Sequence, residues 1–231
     1  CLDGIALVIS PLISLMKDQV GALLQAGVRA AYLNSSLTER QFGLALRNAR
    51  QGKYKIIYVA PERLETESFL AFARHADISL LAVDEAHCIS QWGQDFRPSY
   101  RKIAAFLEAL PQRPPVAAFT ATATGAVQED IVRLLALQDP VRTITGFDRP
   151  NLFFDVRHPR SKMTLLARLV EERRDRSGVI YCATRAGVEK VCKALEERGV
   201  SATRYHAGLA PEERQRKQAD VQFDRQPVMV A

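Results

Sequence analysis

Cysteine is scarce in this sequence, with four residues in 231, and none of the four belongs to a C-x2-C pair. This spacing indicates neither a zinc site nor a disulfide framework, and it favours a reducing, intracellular compartment. The sequence also lacks a visible signal peptide and any apolar stretch long enough to cross a bilayer. We therefore expect no membrane partner.

The excess of charge of one sign is small, since 32 Lys and Arg against 26 Asp and Glu give a net charge of +6. Such an excess suits a polyanionic partner without identifying one. The composition, 47% hydrophobic and 25% charged, is that of an ordinary globular protein of one large or two small domains. The chain has no initiator methionine and stops within an apolar run at 227–231, so we expect it to be part of a longer protein.

Apolar, strand-like runs alternate with helical runs along the chain. Strands are predicted at 5–9, 55–59, 78–83, 116–119 and 178–182, and helices at 12–24, 100–110, 126–137, 162–174, 188–195 and 212–223. This alternation is typical of α/β domains, in which helices flank a parallel sheet. A break near Asp139-Pro140 divides the pattern, so we predict two α/β domains, at 1–140 and 141–231.

Two adjacent carboxylates, Asp84 and Glu85, follow the buried strand predicted at 78–83. Ligands of parallel α/β sheets bind beyond the carboxyl ends of the strands, and buried charge without a partner is costly. One carboxylate could hold Mg²⁺, while the other could orient or deprotonate a water that attacks a γ-phosphate. The alternative is a solvated acid pair in a loop. The context Asp-Glu-Ala-His favours the functional interpretation.

A resemblance to a known family is carried by residues 83–98, where VDEAHCISQWG is followed by DFRP. This stretch resembles motif II and the aromatic-rich loop of the RecQ-family DNA helicases. Further segments resemble other motifs of that family, in the family's order: motif Ia at 8–19, motif Ib at 58–64, motif III at 119–123, the interdomain segment at 147–151, motif IV at 180–185 and a second-domain signature at 205–209. The resemblance covers nearly the whole chain.

The resemblance implies an ATP-driven motor of superfamily 2 with two RecA-like domains. Such a motor moves 3′ to 5′ along single-stranded DNA and unwinds duplex junctions in repair and recombination, with ATP and Mg²⁺ as cofactors. In a bacterium, its expected location is cytoplasmic and associated with the nucleoid. The resemblance indicates no particular protein partner.

The resemblance also assigns roles to residues. It implies catalysis by Asp84, Glu85 and His87, with Mg²⁺ at Asp84 and Glu85. It implies coupling of DNA binding to hydrolysis by Gln91, Trp92, Phe96, Arg97, Thr120 and Thr122. It implies DNA contacts by Ser10, Pro11, Pro61, Glu62, Arg63, Thr184, Arg185, His206 and Gly208.

Simpler roles compete with these assignments. His87 could bind a backbone carbonyl, and Trp92 and Phe96 could be core residues. The hydroxyls of Thr120 and Thr122 could simply end a strand. Residues 10–11 and 61–63 could be loop punctuation, and His206 could serve packing.

The sequence departs from the family pattern at several points. The phosphate-binding pattern G-x-x-x-x-G-K-[ST] and the adenine-reading glutamine motif are absent, and we expect both before Cys1; motifs V and VI would follow Ala231. Gln94 stands where many family members carry histidine. We therefore expect both domains to be truncated and the 231-residue chain alone to be inactive. Two alternatives remain: a nucleic-acid-binding fragment without catalysis, and another superfamily-2 motor acting on RNA, against which the Trp92 loop argues.

Overall fold

The computed structural model describes residues 3–146, 149–223 and 225–231. It divides into two compact units, Cys1–Thr145 and Gly146–Ala231. The sequence pattern placed this division earlier, after residue 140. The chain between the end of the last helix of the first unit and residue 146 carries no helix or strand, so the pattern gave no sharper signal there. Phe147 and Asp148, at the start of the segment that resembles the interdomain motif, lie outside the described residues.

The first unit is built on a five-stranded parallel sheet. Its strands are β1 (Ile5–Ile9), β2 (Ala30–Leu33), β3 (Ile56–Val59), β4 (Ile78–Val83) and β5 (Val116–Ala118), in the order β2-β3-β1-β4-β5. Its helices are α1 (Ile13–Gln25), α2 (Glu39–Arg50), α3 (Glu67–Ala73), α4 (Lys102–Glu108) and α5 (Gly125–Leu134). Short 3₁₀ helices span Pro61–Arg63, Ala86–Ile89 and Pro98–Arg101.

The core of this unit lies against the two central strands. Leu7 and Ile9 of β1 are fully buried, as are Leu81 and Val83 of β4. Each such side chain contributes about 1.5–3 kcal/mol relative to an exposed one. Helices α3 and α4 add an aromatic group in which the ring of Phe69 lies 5.7 Å from that of Phe106. The apolar run at 78–83 is therefore a central strand, and its end is rigidly placed.

The end of α1 shows how local sequence fixes a boundary. Gly27 has φ +78°, and its N–H donates to the carbonyl of Leu24 at 3.0 Å. The N–H of Val28 donates to the carbonyl of Leu23 at 2.8 Å. Glycine adopts this left-handed conformation without steric cost, so it terminates the helix, as the sequence predicted.

The parallel arrangement brings the residues that follow the strands to one edge of the sheet. Asp84 donates its N–H to the carbonyl of Ile9 at 2.8 Å, and Phe119 donates to Val83 at 2.8 Å. Ser10 donates to Val59 at 3.2 Å. Ser10, Asp84 and the segment that begins at Phe119 therefore lie side by side, at the edge where parallel α/β sheets bind ligands.

The second unit has a smaller parallel sheet. Its strands are β6 (Gly178–Ile180), β7 (Ala202–Arg204) and β8 (Val228–Val230), in the order β6-β8-β7, and its helices are α6 (Lys162–Glu171), α7 (Arg185–Glu196) and α8 (Pro211–Gln222). Its core is formed by Val188, Cys192, Leu195, Ala202, Val228 and Val230. In both units, no helix among the described residues is long and apolar enough to span a membrane.

Candidate functional site

Asp84 is held at the carboxyl end of β4 by contacts on both its side chain and its backbone. Its Oδ1 accepts a hydrogen bond from the N–H of Glu85 at 2.9 Å, and the hydroxyl of Ser10 donates to Oδ2 at 3.4 Å. Its backbone carbonyl accepts from the hydroxyl of Tyr100 at 2.8 Å. Burial raises the pKa of Tyr100 well above its usual range, so this hydroxyl stays protonated and remains a donor.

Glu85 adopts a backbone conformation that is costly for its residue type. Its φ of 47° and ψ of 44° lie in the left-handed region, where a residue with a Cβ pays about 1–2 kcal/mol. The strained turn ends β4 and begins the 3₁₀ helix Ala86–Ile89, and the Glu85 side chain remains about one-third exposed. Strain of this kind concentrates at functional sites, where the surrounding structure enforces it.

His87 is buried, and its ring contacts other side chains of the site. Its Nδ1 lies 2.9 Å from Oγ1 of Thr120 and 3.3 Å from Oε2 of Glu85. The same Thr120 hydroxyl accepts a hydrogen bond from the N–H of Thr122 at 3.3 Å. The predicted residues on either side of the β4–β5 pair are thus linked in one chain of contacts, from Glu85 through His87 to Thr120 and Thr122.

The loop after this site presents an aromatic side chain to solvent. Residue Trp92 is 81% exposed, which excludes the alternative that it is a core residue. Phe96 is half-buried, and its ring lies 5.2 Å from the Arg101 guanidinium. Between them, a Cβ at Gly93 would lie 2.3 Å from the carbonyl oxygen of His87, so only glycine allows this close approach. Gln91 is exposed beside Trp92.

Arg97 ties the end of this loop to the segment that follows β1. Its Nη1 donates to the carbonyl of Pro11 at 3.1 Å, and its Nε and Nη2 donate to Oδ2 of Asp95 at 2.9 and 2.6 Å. The hydrogen bond to Asp95, reinforced by its charge, raises the pKa of Arg97, which stays a cation at any ordinary pH. Pro11 and Arg97, predicted separately, therefore lie together.

Among the residues predicted to bind DNA at the end of β3, Pro61 and Arg63 also contribute to the packing of the first unit. Pro61 is buried and Glu62 is exposed. The Arg63 guanidinium donates to the carbonyl of Asn34 at 3.2 Å and lies 4.8 Å from the centre of the Phe42 ring. Arg63 thus stabilises the packing of α2 against this edge, whatever contacts it makes to a ligand.

In the second unit, the four predicted residues gather where α7 begins. The Thr184 hydroxyl caps that helix by accepting from the N–H of Gly187 at 3.0 Å. A Cβ at Gly208 would lie 3.5 Å from Cδ of Arg185, so Gly208 and Arg185 are neighbours. The N–H of Gly208 donates to Nδ1 of His206 at 3.2 Å.

His206 also has a partner that sequence reasoning missed. Its Nε2 lies 2.9 Å from Oε1 of Glu189 on α7, and the Arg204 guanidinium donates to Oε2 of the same carboxylate at 3.0 Å. Because Nδ1 accepts from Gly208, Nε2 carries the proton in the neutral ring and donates it to Glu189. The Gly208 N–H therefore selects the tautomer, and the Glu189 carboxylate holds the orientation of the imidazole.

Three further residues support the first unit's site and were also missed: Tyr100, Ser90 and Asp130. Tyr100 follows a proline that begins a 3₁₀ helix, and nothing in its neighbourhood distinguishes it from a packing tyrosine. Ser90 and Asp130 are hydrogen-bonded to each other but lie 40 positions apart. No periodicity connects residues at such a separation, so only the folded structure reveals these contacts.

The oxygen atoms at the sheet edge can supply some, but not all, of the six ligands of a magnesium ion. Within the described residues, no group of three or more His, Cys, Asp or Glu side chains could hold a metal ion by itself. Asp84 and Glu85 do supply two neighbouring carboxylates, with the Ser10 hydroxyl beside them. Mg²⁺ is usually held by one or two carboxylates and completes its six ligands with water and phosphate oxygens. The residues present fit an ion of that kind.

Comparisons with known proteins identify the family of this chain. The profile of the DEAD/DEAH box helicase family matches residues 2–131. The chain is 45% identical over 231 residues to a protein of Pasteurella multocida (strain Pm70) named ATP-dependent DNA helicase RecQ, covering 100% of this chain and 36% of that protein. It is 43% identical over 229 residues to the Bacillus subtilis (strain 168) protein of the same name, covering 99% and 39%. The chain thus spans less than half the length of these relatives.

Solved structures show the same fold at low sequence identity. The Mycobacterium smegmatis helicase Lhr, bound to single-stranded DNA and AMP-PNP, superposes with a TM-score of 0.66 at 16% identity, covering 100% of this chain and 34% of that one. Dbp5 of S. cerevisiae, bound to RNA and ADP BeF3, gives a TM-score of 0.65 at 17% identity, covering 99% and 57%. These neighbours establish the RecA-like α/β fold.

The predicted fold class and family are therefore both confirmed. The family profile covers the sheet and site of the first unit, and the RecQ relatives match across both units. The chain belongs to the DEAD/DEAH box helicase family and, within it, to the RecQ helicases.

Proposed function

We propose that the protein containing this chain is an ATP-dependent DNA helicase that moves 3′ to 5′ along single-stranded DNA and unwinds duplex junctions. One observation carries the proposal: His87 links the acid pair at the end of β4 to Thr120, and the exposed Trp92 follows His87 by five residues in the chain. An acid pair at the carboxyl end of a parallel strand suits the binding of Mg²⁺ and the activation of a water, and an exposed aromatic side chain suits stacking on a nucleobase. The names of the RecQ relatives support the choice of ATP and DNA.

In this proposal, the two acids of the site have different tasks. Asp84, held by the N–H of Glu85 and the Ser10 hydroxyl, would bind Mg²⁺ directly or through water. A magnesium ion held there would supply positive charge that offsets the charge of the phosphates. Glu85, one-third exposed and 3.3 Å from His87, would orient and deprotonate the attacking water. His87 would hold the Glu85 carboxylate in place and transmit its position to Thr120 and Thr122.

The proposed DNA contacts do not depend on base sequence. Trp92 would stack on a base, an interaction typically worth about 1–3 kcal/mol. In the first unit, DNA phosphates would contact Arg97 and the turns at Ser10-Pro11 and Pro61–Arg63. In the second unit, they would contact Thr184, Arg185, His206 and Gly208. Contacts to phosphates set position and register without reading sequence, which suits a motor that must move along any strand. Repair and recombination are the processes that would need such unwinding.

The test uses the full-length protein and compares nucleic acids of matched length and base sequence. We expect single-stranded DNA to stimulate ATP hydrolysis strongly and the corresponding RNA to stimulate it weakly. Duplexes with a 3′ single-stranded overhang should be unwound, whereas those with a 5′ overhang should not. Stimulation by RNA equal to that by DNA would favour the alternative of an RNA motor. DNA binding without any hydrolysis would favour a binding protein without catalysis.

A further inference from the structure

Ser90 is a fully buried polar residue at the base of the tryptophan loop. Its hydroxyl donates to Oδ2 of Asp130 at 2.6 Å and accepts from the backbone N–H of Trp92 at 3.1 Å. The hydroxyl therefore joins helix α5 to the backbone of the residue that carries the exposed indole. A buried hydroxyl that lost either partner would leave a polar group unsatisfied, which is unfavourable.

Asp130 is well suited to anchor this bridge. Only 17% of its side chain is exposed, and its other oxygen, Oδ1, pairs with Arg133 one turn along α5. The Ser90 hydrogen bond, with a further contribution from Arg133, holds the pKa of Asp130 below its usual range. The carboxylate is thus ionised at neutral pH, and hydrogen bonds to an ionised acceptor are roughly twice as strong as neutral ones.

Helix α5, which carries Asp130, is connected in the chain to the segment that contains Thr120. The helix begins at Gly125, three residues after Thr122, so it continues the segment whose Thr120 hydroxyl meets His87. Helix α5 also borders a cavity of about 440 Å³, whose lining includes Trp92, Arg101, Asp130 and Arg133. Helix α5 therefore follows the Thr120 segment in the chain and contacts the tryptophan loop through Asp130.

The position of Trp92 depends on contacts of its backbone, because its side chain makes few contacts with the rest of the protein. Trp92 as a residue is 81% exposed, so few contacts of its ring fix the orientation of the indole. A loop that is free to move loses conformational entropy when it binds, whereas a loop held in its bound form binds more tightly. The backbone at Trp92 is held through Ser90, and the close approach of Gly93 to His87 constrains the next residue.

We propose that Asp130 is a positioning residue for DNA recognition: through the Ser90 hydroxyl it fixes the backbone of Trp92, so that the indole is presented for stacking on a nucleobase. This role rests on the proposed helicase function. It predicts that Asp130 and Ser90 act as one unit, and that the Arg133 pair on the other carboxylate oxygen contributes little. Asp130 itself need not touch the nucleic acid.

The experiment combines variants of these residues with two readouts. Asp130→Ala and Ser90→Ala each remove the bridge, whereas Asp130→Asn keeps an oxygen that can accept the Ser90 hydrogen bond. Arg133→Ala tests the other partner of Asp130. Glu129→Ala is the matched control, since Glu129 is the preceding residue of α5 and pairs instead with Arg142.

The first readout is the concentration of single-stranded DNA that gives half-maximal stimulation of ATP hydrolysis in the full-length protein. The second is the fluorescence anisotropy and acrylamide quenching of Trp92 in the 231-residue chain, where it is the sole tryptophan. Melting temperatures accompany both. A role in folding alone would lower the melting temperature without changing the mobility of Trp92 in the folded protein.

We expect Asp130→Ala and Ser90→Ala each to raise the required DNA concentration about tenfold, the effect of one lost charge-assisted hydrogen bond, and to lower the Trp92 anisotropy. The double variant should be no worse than the stronger single variant. Asp130→Asn should recover part of both signals, because it keeps an acceptor for Ser90 but a neutral hydrogen bond has about half the strength of a charge-assisted one. Arg133→Ala and Glu129→Ala should stay within about twofold of the wild type, well short of the cost of that bond.

Unchanged anisotropy and unchanged DNA dependence in folded Asp130→Ala and Ser90→Ala would overturn the positioning role. So would independent, additive effects of the two substitutions. A wild-type protein that hydrolyses ATP without any response to DNA would instead overturn the proposed function, and the fluorescence of the variants would still decide whether Asp130 holds the loop.

Discussion

Nδ1 of His87 lies 2.9 Å from Oγ1 of Thr120, although the two residues are 33 positions apart. The contact forms because β4 and β5 are parallel neighbours, with Val83 paired to Ala118, so that the residues after both strands emerge at the same edge. His87 also lies 3.3 Å from the Glu85 carboxylate. The imidazole of His87 therefore contacts both the segment at Thr120 and the proposed catalytic acid.

The first prediction concerns the support beneath Asp84. Tyr100→Phe removes the hydroxyl that donates to the Asp84 carbonyl at 2.8 Å and leaves that acceptor without its partner. We expect a loss of about 1–3 kcal/mol in the free energy of unfolding, the usual cost of a buried group left unsatisfied. Urea denaturation of the variant measures it. Tyr181→Phe, at a site 84% exposed, is the control and should change little; equal stability of both variants would contradict the role of Tyr100.

The second prediction concerns Trp92. In the full-length protein, Trp92→Ala should reduce the ratio of DNA-stimulated to basal ATP hydrolysis, by roughly tenfold or more, because a stacking contact worth about 1–3 kcal/mol is lost. The melting temperature should stay near that of the wild type, since Trp92 is 81% exposed. Trp92→Phe should restore part of the ratio because it restores an aromatic face.

A matched control for Trp92 comes from α2. Leu44 is also large, apolar and exposed, at 52%, but it does not lie at the carboxyl edge of the sheet. Leu44→Ala should keep the normal ratio. If Trp92→Ala kept the normal ratio in a stably folded protein, Trp92 would have no role in sensing DNA.

The parts of the fold that sequence patterns predicted are those fixed by local chemistry. The apolar run of β4 and the acids after it could be identified because a central strand is buried on both faces and ends abruptly. The end of α1 could be identified because Gly27 is the residue that a left-handed turn favours.

Other elements were missed or misplaced for physical reasons. The four-residue strand β2 contains two alanines and was not recognised, because it carries little β-propensity. Helix α2 was missed although Thr38 and Gln41 form a capping box that the sequence displays. Helix α5 ends at Leu134 rather than 137, because Ala136 adopts φ +48° and reverses the chain without a glycine to mark the turn.

The candidate site divides in the same way. Asp84, Glu85, His87 and Trp92 lie within nine positions of the sequence, so one motif contains them all. The residues that hold them in place come from other parts of the chain. Thr120 could be predicted because it belongs to a motif of its own, at 119–123. The contacts of Ser90 with Asp130 and of His206 with Glu189 arise from packing between separate elements. Tertiary contacts of this kind leave no periodic signal.

The third prediction is a pH dependence in the second unit. The hydrogen bond from His206, reinforced by Arg204, holds the pKa of Glu189 below its ordinary value of 4.5. A carboxyl whose pKa is depressed on folding stabilises the fold above its unfolded pKa, and this contribution is lost as the pH falls through the lower, folded value. We therefore expect the contribution of Glu189 to be constant near neutral pH and to disappear in the acidic range below about pH 4.5.

Denaturation of the wild type and of Glu189→Gln across this range checks the sign. The difference in stability between them should be largest near neutral pH and should shrink on acidification. Glu197→Gln, on an acid just beyond the end of α7, serves as the control. A difference that grew as the pH fell would contradict the assigned direction.

The most direct test of the central claim, that Glu85 activates the attacking water, is the steady-state rate of ATP hydrolysis by full-length Glu85→Gln with saturating single-stranded DNA. The substitution keeps the shape of the side chain and removes its charge and its basicity. The rate should fall about 100-fold or more, the scale of a lost general base, while ATP still binds and Glu67→Gln, on the exposed first turn of α3, keeps the normal rate. A Glu85→Gln protein that hydrolyses ATP at nearly the wild-type rate would contradict the claim.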